Sequence, residues 1–341
     1  TADSGSIFTG WSGVCSGTGS CAVTVDATKA VTATFAQLLP FTLDRYSPVT
    51  NTVNAALNSN VVLTYSADLD AATVTSRTVA VHRMFYGLIT ATHPVSDNVV
   101  TVTPAKPFFP GELVYTSATT GTTDLNGAQP LTPTVWQFQA TAPTGHGYLA
   151  DPVNVGTGSD ATYSLAWGDF DGDGDLDLAV GNDGQQNVVY PNNGDGSFGA
   201  PINFGTGSDA TNSLAAGDFD GDGDLDLASG NLYELNMVYP NNGDSSFGAG
   251  IPFGTVSEGT YSLAAGDFDG DGDLDLAVGN EYDQQNIVYL NNGSGAFSAG
   301  IDFGSGDDAI YSVAWGDFDG DGDLDLAAGD AGGQNVVYPN N

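Results

Sequence analysis

From residue 151 onward the apolar positions come in short runs at a regular interval. Each unit holds four such runs, as in "YSLAWGDF", "LDLAVGN", "NVVYPNN" and "APINFGTG", set apart by Gly, Asp, Asn and Ser. Short apolar runs bounded by turn formers predict strands. In the second run Leu176, Leu178 and Val180 share one parity while Asp177 and Ala179 take the other, the alternation of a strand with two unlike faces. Residues 37–143 alternate without a repeat. There "NVVLTYS", "TVAVHRM", "NVVTVTP" and "TVWQFQA" are separated by turns rich in Pro, Asn, Asp and Gly, the spacing of a β-sandwich. Residues 1–36 predict three short strands with Gly/Ser turns, too few to bury a core alone. A Gly/Pro linker over 144–150 joins the sandwich to the repeats, and the expected class is all-β.

The period decides the architecture of the last part. Asp169, Asp218, Asp267 and Asp317 open the same nonapeptide in successive units and are spaced by 49, 49 and 50 residues, within the range that marks propellers and other repeat arrays. Four strands per unit at this length predict a β-propeller of four blades over 151–341. The stretch "DPVNVGTGSD" before the first unit matches the outer strand "APINFGTGSD" of the next, while the last unit has three strands. The expected closure therefore uses the strand at Asp151 to complete the last blade within one chain, which removes exposed edges. The competing expectation pairs that strand with the last blade of a neighbouring copy.

Charge narrows the function. The net charge is −37, and the nonapeptides hold 20 of the 42 acidic residues. All five basic residues (Lys29, Arg45, Arg77, Arg83, Lys106) precede residue 150, so the repeats contain no cation of their own. Such a balance excludes nucleic acid and anionic lipid surfaces as partners. No apolar run approaches the roughly 18 residues of a membrane span, and the N-terminus lacks the basic-then-apolar layout of a signal peptide. Cys15 and Cys21, separated by "SGTGS", suit a disulfide across a short hairpin and with it an oxidising, extracellular setting. Two free thiols are the alternative; a zinc site would lack ligands.

The nonapeptide Asp169-Phe-Asp171-Gly-Asp173-Gly-Asp175-Leu-Asp177 carries acids at positions 1, 3 and 5 and Gly at 6, the first half of an EF-hand calcium loop. The bidentate Glu of position 12 is absent, its place taken by Val180, Ser229, Val278 and Ala328, so position 9 is expected to supply the closing carboxylate. Position 7 is expected to contribute its backbone carbonyl. Carboxylates about 5 Å apart repel by roughly 0.8 kcal/mol per pair even in water, so the loop needs a cation. All-oxygen ligation on a flexible loop favours Ca²⁺ over Mg²⁺ or zinc.

These loops, with "SFGAP" at 197–201 and "SFGAG" at 246–250, resemble the FG-GAP or VCBS repeat, the calcium-binding blade also found in integrin α-subunits. The third copy departs from the pattern at "AFSAG". The resemblance implies about four Ca²⁺ per chain. Its implied ligands are Asp169, Asp171, Asp173, Asp175 and Asp177; Asp218, Asp220, Asp222, Asp224 and Asp226; Asp267, Asp269, Asp271, Asp273 and Asp275; and Asp317, Asp319, Asp321, Asp323 and Asp325. Residues 37–143 resemble the bacterial Ig-like domains of S-layer and adhesin proteins, in which the module is a spacer. "FTGWSGVC" followed by "VTATF" resembles the second half of a small β repeat of bacterial surface proteins, which implies a start inside a domain.

The function expected from these features is a non-catalytic, extracellular or cell-surface calcium-binding protein that presents an adhesive or ligand-binding propeller on an Ig-like stalk. Its partner would be a protein or glycan on the face opposite the calcium loops, where "DGQQ", "LYEL", "EYDQQ" and "AGGQ" vary and Tyr233 and Tyr282 offer aromatic contacts, or else further copies of itself. A structural subunit of a calcium-stabilised extracellular filament is the alternative. A non-catalytic part of a polysaccharide-acting enzyme is a further one. No nucleophile with a base is visible: His82 and His93 lie in the sandwich beside Arg83 on strands where polar residues are expected to be solvated, and His146 lies in the linker.

Overall fold

A computed structural model of the chain describes residues 6–90, 93–143, 152–156, 158–254, 259–281 and 283–340. The linker with His146, the first residue of the strand expected at Asp151, and Tyr282 lie outside the described residues. At the N-terminal end, Ser6–Gly13 and Val31–Gln37 pair as an antiparallel hairpin, with Cys15 and Cys21 joined in the connection. The third strand expected at "AVTV" does not form. That stretch has no neighbouring strand to pair with, and Val25 is exposed.

The expected sandwich strands all form, in two four-stranded antiparallel sheets. One runs in the order Leu43–Ser47, Val61–Tyr65, Val99–Val102 and Val95–Ser96. The other runs in the order Thr134–Gln139, Leu113–Ala118, Val79–Arg83 and Gly87–Leu88. Alternation sends Val61, Leu63 and Tyr65 from the first sheet, and Val79, Val81, Trp136 and Phe138 from the second, into one shared core. The Trp136 indole donates to the Pro48 carbonyl at 3.0 Å, so its one polar atom is satisfied inside that core.

The second sheet is buried on its outer face too, because that face lies against the repeats. His82 and Arg83, expected to be solvated, are each 2% exposed, and His93 is buried as well. Arg83 pairs with Glu112 at 2.9 Å within the sandwich, while His82 reaches the carbonyl of Gly272 in the third repeat at 2.9 Å. Tyr115 and Val135 join a core shared with Trp315 and Leu324 of the repeats. The sandwich is thus docked on the array rather than held away from it as a stalk.

Each of the first three repeats is a four-stranded antiparallel sheet and the fourth has three strands, as the pattern predicts. In the first, the strands are Thr162–Gly168, Asp177–Asn182, Asn187–Tyr190 and Ile202–Phe204. The second strand is buried throughout, so its two parities do not divide core from solvent: Leu178 and Val180 pack to one side, Ala179 to the other, against the next repeat. Repeats stack face to face through their first strands. The closest fits use glycine: a Cβ on Gly230 would lie 2.5 Å from Thr260 Cγ2 and 3.0 Å from Leu263 Cγ.

Among the described residues the four sheets do not close into a ring. First strands neighbour one another from the first repeat to the fourth, and no packed interface joins fourth to first among the described residues. Leu165 is 59% exposed where its equivalents Leu214, Leu263 and Val313 are 7–8% exposed, and Val337 on the fourth repeat is 40% exposed where Val189 is 0%. Nor does the segment at 152–156 complete the last sheet. Val155 packs on Leu178, Val180, Val188 and Tyr190 of the first repeat, much as Phe204 packs on Tyr239 of the second with ring centroids 5.5 Å apart. The sequence match with an outer strand was sound, but an outer strand also leans on the repeat that follows it, and short chain connection fixes that contact here.

Candidate metal sites on the repeat loops

Each nonapeptide forms the loop between the first and second strands of its repeat, and one hydrogen-bonding scheme recurs in all four. The carboxylate at position 3 accepts the amide of position 5, as in Asp173 N to Asp171 Oδ1 at 3.1 Å, and position 5 accepts the amide of position 7, as in Asp175 N to Asp173 Oδ1 at 2.9 Å. These nested turns wind the backbone into a curl. Gly172 and Gly174 sit at φ 73° and 103°, a conformation that other residues adopt at a cost. Position 9 then ties the loop to its surroundings. Asp226 accepts Phe219 N at 2.8 Å on one oxygen and Asn241 N at 2.8 Å on the other, and Asp177, Asp275 and Asp325 repeat the pattern.

The winding gathers the acids. Ligand atoms of Asp169, Asp171 and Asp177 lie within 4.8 Å of one another, as do those of Asp218, Asp220 and Asp226, of Asp267, Asp269 and Asp271, and of Asp317, Asp319 and Asp325. Positions 1 and 3 therefore join every cluster. Position 9 joins three of them and position 5 (Asp271) the other, whereas the side chains of Asp173, Asp222 and Asp321 stand apart from these trios. Asp175, Asp224, Asp273 and Asp323 were expected to act through their carbonyls, which leaves their side chains free, and that of Asp273 meets Arg77 at 3.0 Å. Val180, Ser229, Val278 and Ala328 are buried in strands, away from any ligand role.

Burial makes these carboxylates costly to ionise without a cation. Desolvation, together with neighbouring carboxylates and against bonds from backbone amides, pushes Asp177 up to about 6, Asp218 and Asp267 to about 7, Asp226 to about 8 and Asp275 to about 9. In the first loop neither oxygen of Asp169, which is 4% exposed, accepts a hydrogen bond of good geometry, and its nearest cation is Lys106 Nζ at 3.8 Å. Asp317 Oδ2 is likewise buried without a partner. Buried oxygens left unsatisfied and aimed into an all-carboxylate cluster fit a hard divalent ion, and Ca²⁺ suits their number and flexible backbone. Asp169, Asp171 and Asp177 would hold it in the first loop, Asp218, Asp220 and Asp226 in the second, Asp267, Asp269 and Asp271 in the third, and Asp317, Asp319 and Asp325 in the fourth.

Sequence reasoning missed the asparagines that brace these loops. Asn241 Nδ2 donates to Leu225 O at 3.0 Å in its own repeat and to Phe170 O at 2.8 Å in the preceding one; Asn291 bonds Leu274 O and Phe219 O in the same way. The "NN" that recurs in every unit was the available signal.

Residues 39–140 match a bacterial Ig-like domain, and 169–229, 226–278 and 267–328 match the FG-GAP-like repeat. The chain carries a bacterial Ig-like domain followed by FG-GAP-like repeats. Both modules are of a type common in bacterial surface proteins, and among the described residues no helix is long and apolar enough to cross a membrane. No curated protein matches the sequence. Among solved structures, an exotype rhamnogalacturonan lyase is 13% identical with a TM-score of 0.34, and the match covers 85% of this chain and 59% of the lyase. A lectin of Agrocybe aegerita that recognises non-reducing terminal N-acetylglucosamine is 15% identical with a TM-score of 0.38, over 84% of this chain and 75% of the lectin. The N-terminal part of the bacterial S-layer protein SbsC is 12% identical with a TM-score of 0.24, over 63% of this chain and 44% of that one.

Proposed function

We propose that the chain is a non-catalytic, calcium-binding module of an extracellular bacterial surface protein, and that its FG-GAP-like array presents a ligand-binding surface. The observation that carries the calcium reading is the buried, unsatisfied carboxylate of Asp169 inside an all-oxygen cluster that recurs in four loops. The ligand surface lies at the opposite ends of the strands, since the sandwich packs against the metal loops. There Tyr233 is exposed and its hydroxyl bonds the Glu281 carboxylate, beside Tyr261 and Tyr311 stacked with centroids 4.2 Å apart. Aromatic faces next to a carboxylate suit a glycan or a protein loop.

Calorimetric titration of chelator-treated protein tests the first part, with about four Ca²⁺ bound per chain as the expected result. With a dissociation constant near 10⁻⁴ M, about 1 mM calcium adds roughly 1.4 kcal/mol per site. Absence of both binding heat and any rise in melting temperature would refute the calcium reading. Glycan and protein arrays probed with the wild type and a Tyr233→Ala, Tyr311→Ala double variant test the surface: hits that survive the double variant place the ligand elsewhere.

A further inference from the structure

Every one of the four metal loops touches the Ig-like domain through atoms that an ion would leave free, and at position 1 the domain also meets ligand carboxylates, with Leu88 N 3.4 Å from Asp218 Oδ2 and Lys106 Nζ 3.8 Å from Asp169 Oδ2. In the third loop the carbonyl of Gly272, position 6, meets His82 Nε2 at 2.9 Å; in the fourth, Gly322 O at the same position accepts Val135 N at 2.6 Å. In the second, position 6 presses on Gly87, where an added Cβ would lie 2.6 Å from Gly223 O. In the first, Lys106 Nζ donates to Gly172 O, position 4, at 2.7 Å, and Asp169 N donates to Phe85 O at 2.8 Å. Arg77 takes both oxygens of Asp273, at 3.0 and 3.1 Å, the position-7 side chain that stands outside the cluster.

One backbone curl produces both sets of contacts. The winding that turns the carboxylates of positions 1, 3 and 9 inward, or of positions 1, 3 and 5 in the third loop, turns a glycine carbonyl outward toward the sandwich, that of position 4 in the first loop and of position 6 in the others. We infer that the outer sheet of the Ig-like domain supplies positioning residues for the metal loops, His82 and Val135 foremost, so that docking of the sandwich and binding of calcium strengthen each other. This rests on the reading of the loops as calcium sites. Reciprocity then follows from thermodynamic linkage: whatever factor the ion gains from docking, docking gains from the ion. A carbonyl only accepts, so His82 Nε2 carries a proton, and burial keeps a second proton off the ring, which leaves the imidazole neutral. Replacing it removes a hydrogen bond and no formal charge.

The test uses the full chain. His82→Leu, which alters no ligand, is expected to weaken calcium binding at about one site by roughly 5- to 50-fold, within the usual span of coupling, while the number of ions bound stays as in the wild type. Hydrogen exchange on the wild type supplies the second arm, with no variant required. Adding calcium to chelated protein is expected to slow exchange at the Val135 and Asp169 amides, which cross the interface, with little change at Leu63 or Val100 inside the sandwich. Unchanged calcium affinity in a folded His82→Leu protein overturns the proposal, and so does exchange at Val135 and Asp169 that is indifferent to calcium in a wild type that binds it. A wild type that binds no calcium would instead refute the reading on which the proposal rests, and the titration identifies that outcome directly.

Discussion

Replacing Asn291 by Ala isolates the cross-repeat brace. The side chain is 5% exposed and makes three hydrogen bonds: Nδ2 to Phe219 O at 2.8 Å and to Leu274 O at 3.0 Å, and Oδ1 from Gly293 N at 3.1 Å. Its own amide still caps Asp275, so position 9 is unaffected. Phe219 O keeps a bond from Gly295 N at 2.8 Å, which leaves Leu274 O and Gly293 N as the groups that lose this partner. Three bonds at a net of about 1 kcal/mol each put the loss near 3 kcal/mol. Asn241→Ala should cost the same, because its bonds to Phe170 O and Leu225 O match. Asn192 is the internal control: it is half-buried and bonds Leu176 O and Gly194 N with no reach into another repeat, and water can replace it at the exposed Gly194 amide, so the one part-buried bond sets the cost of Asn192→Ala at about 1 kcal/mol. Guanidinium unfolding followed by far-UV circular dichroism, in chelator, reads all three. Equal losses for Asn192→Ala and Asn291→Ala would refute the cross-repeat account.

Gly230→Ala should cost roughly 1–3 kcal/mol in the same assay, because the new methyl meets Thr260 and Leu263 of the next repeat; a neutral result would mean that the repeats shift apart freely. In chelator the melting temperature should fall as pH rises from about 6 to about 9. The folded-state values of Asp177, Asp218, Asp226 and Asp275 lie above the unfolded carboxylate value, so the folded chain holds protons whose stabilisation is lost as pH passes through those values. Calcium should remove that slope, since it binds the ionised form, and a flat metal-free profile would contradict the burial argument. Cys15→Ser with Cys21→Ser should cost the N-terminal hairpin about 2 kcal/mol while leaving the melting of the sandwich and repeats in place, as calorimetry can check.

Strands were legible wherever the pattern was local. The alternation in "NVVLTYS" and "TVWQFQA" and the 49-residue period located the sandwich sheets and the four-strand units, because a strand records its own pleat. What covers the outer face was not legible. His82 and Arg83 were expected to be solvated, yet His82 abuts Gly272, and on the same sheet Tyr115, Ser117 and Val135 abut Trp315, Asp267 and Gly322. The one trace of docking was the segregation of charge, with every Lys and Arg before residue 150 and the acid-rich nonapeptides after it. Ring closure failed for a different reason: a strand that resembles an outer strand is compatible with two neighbours, and sequence similarity does not choose between them.

At the loops the aspartates were legible and the bracing was not, since a carboxylate announces its chemistry while an asparagine announces only a turn. The position-7 acids show what the bracing does. Asp224 folds over the following hairpin so closely that a Cβ on Gly243 would lie 2.6 Å from its Oδ2, and Asp175 and Asp273 stand in the same way over Gly194 and Gly293. Asp226 joins the same hairpin from the other side through Asn241. Positions 7 and 9 thus clamp the nonapeptide to the third turn of its repeat, and that clamp fixes the direction of the position-6 carbonyl that immediately precedes position 7. In the third loop this is the carbonyl that His82 meets, with Arg77 bridging Asp273 and Gly293 O beside it. The recurring letters beyond the ligands, the glycine and asparagines of "NNG", therefore hold the outer side of the curl as firmly as the aspartates define its inner side.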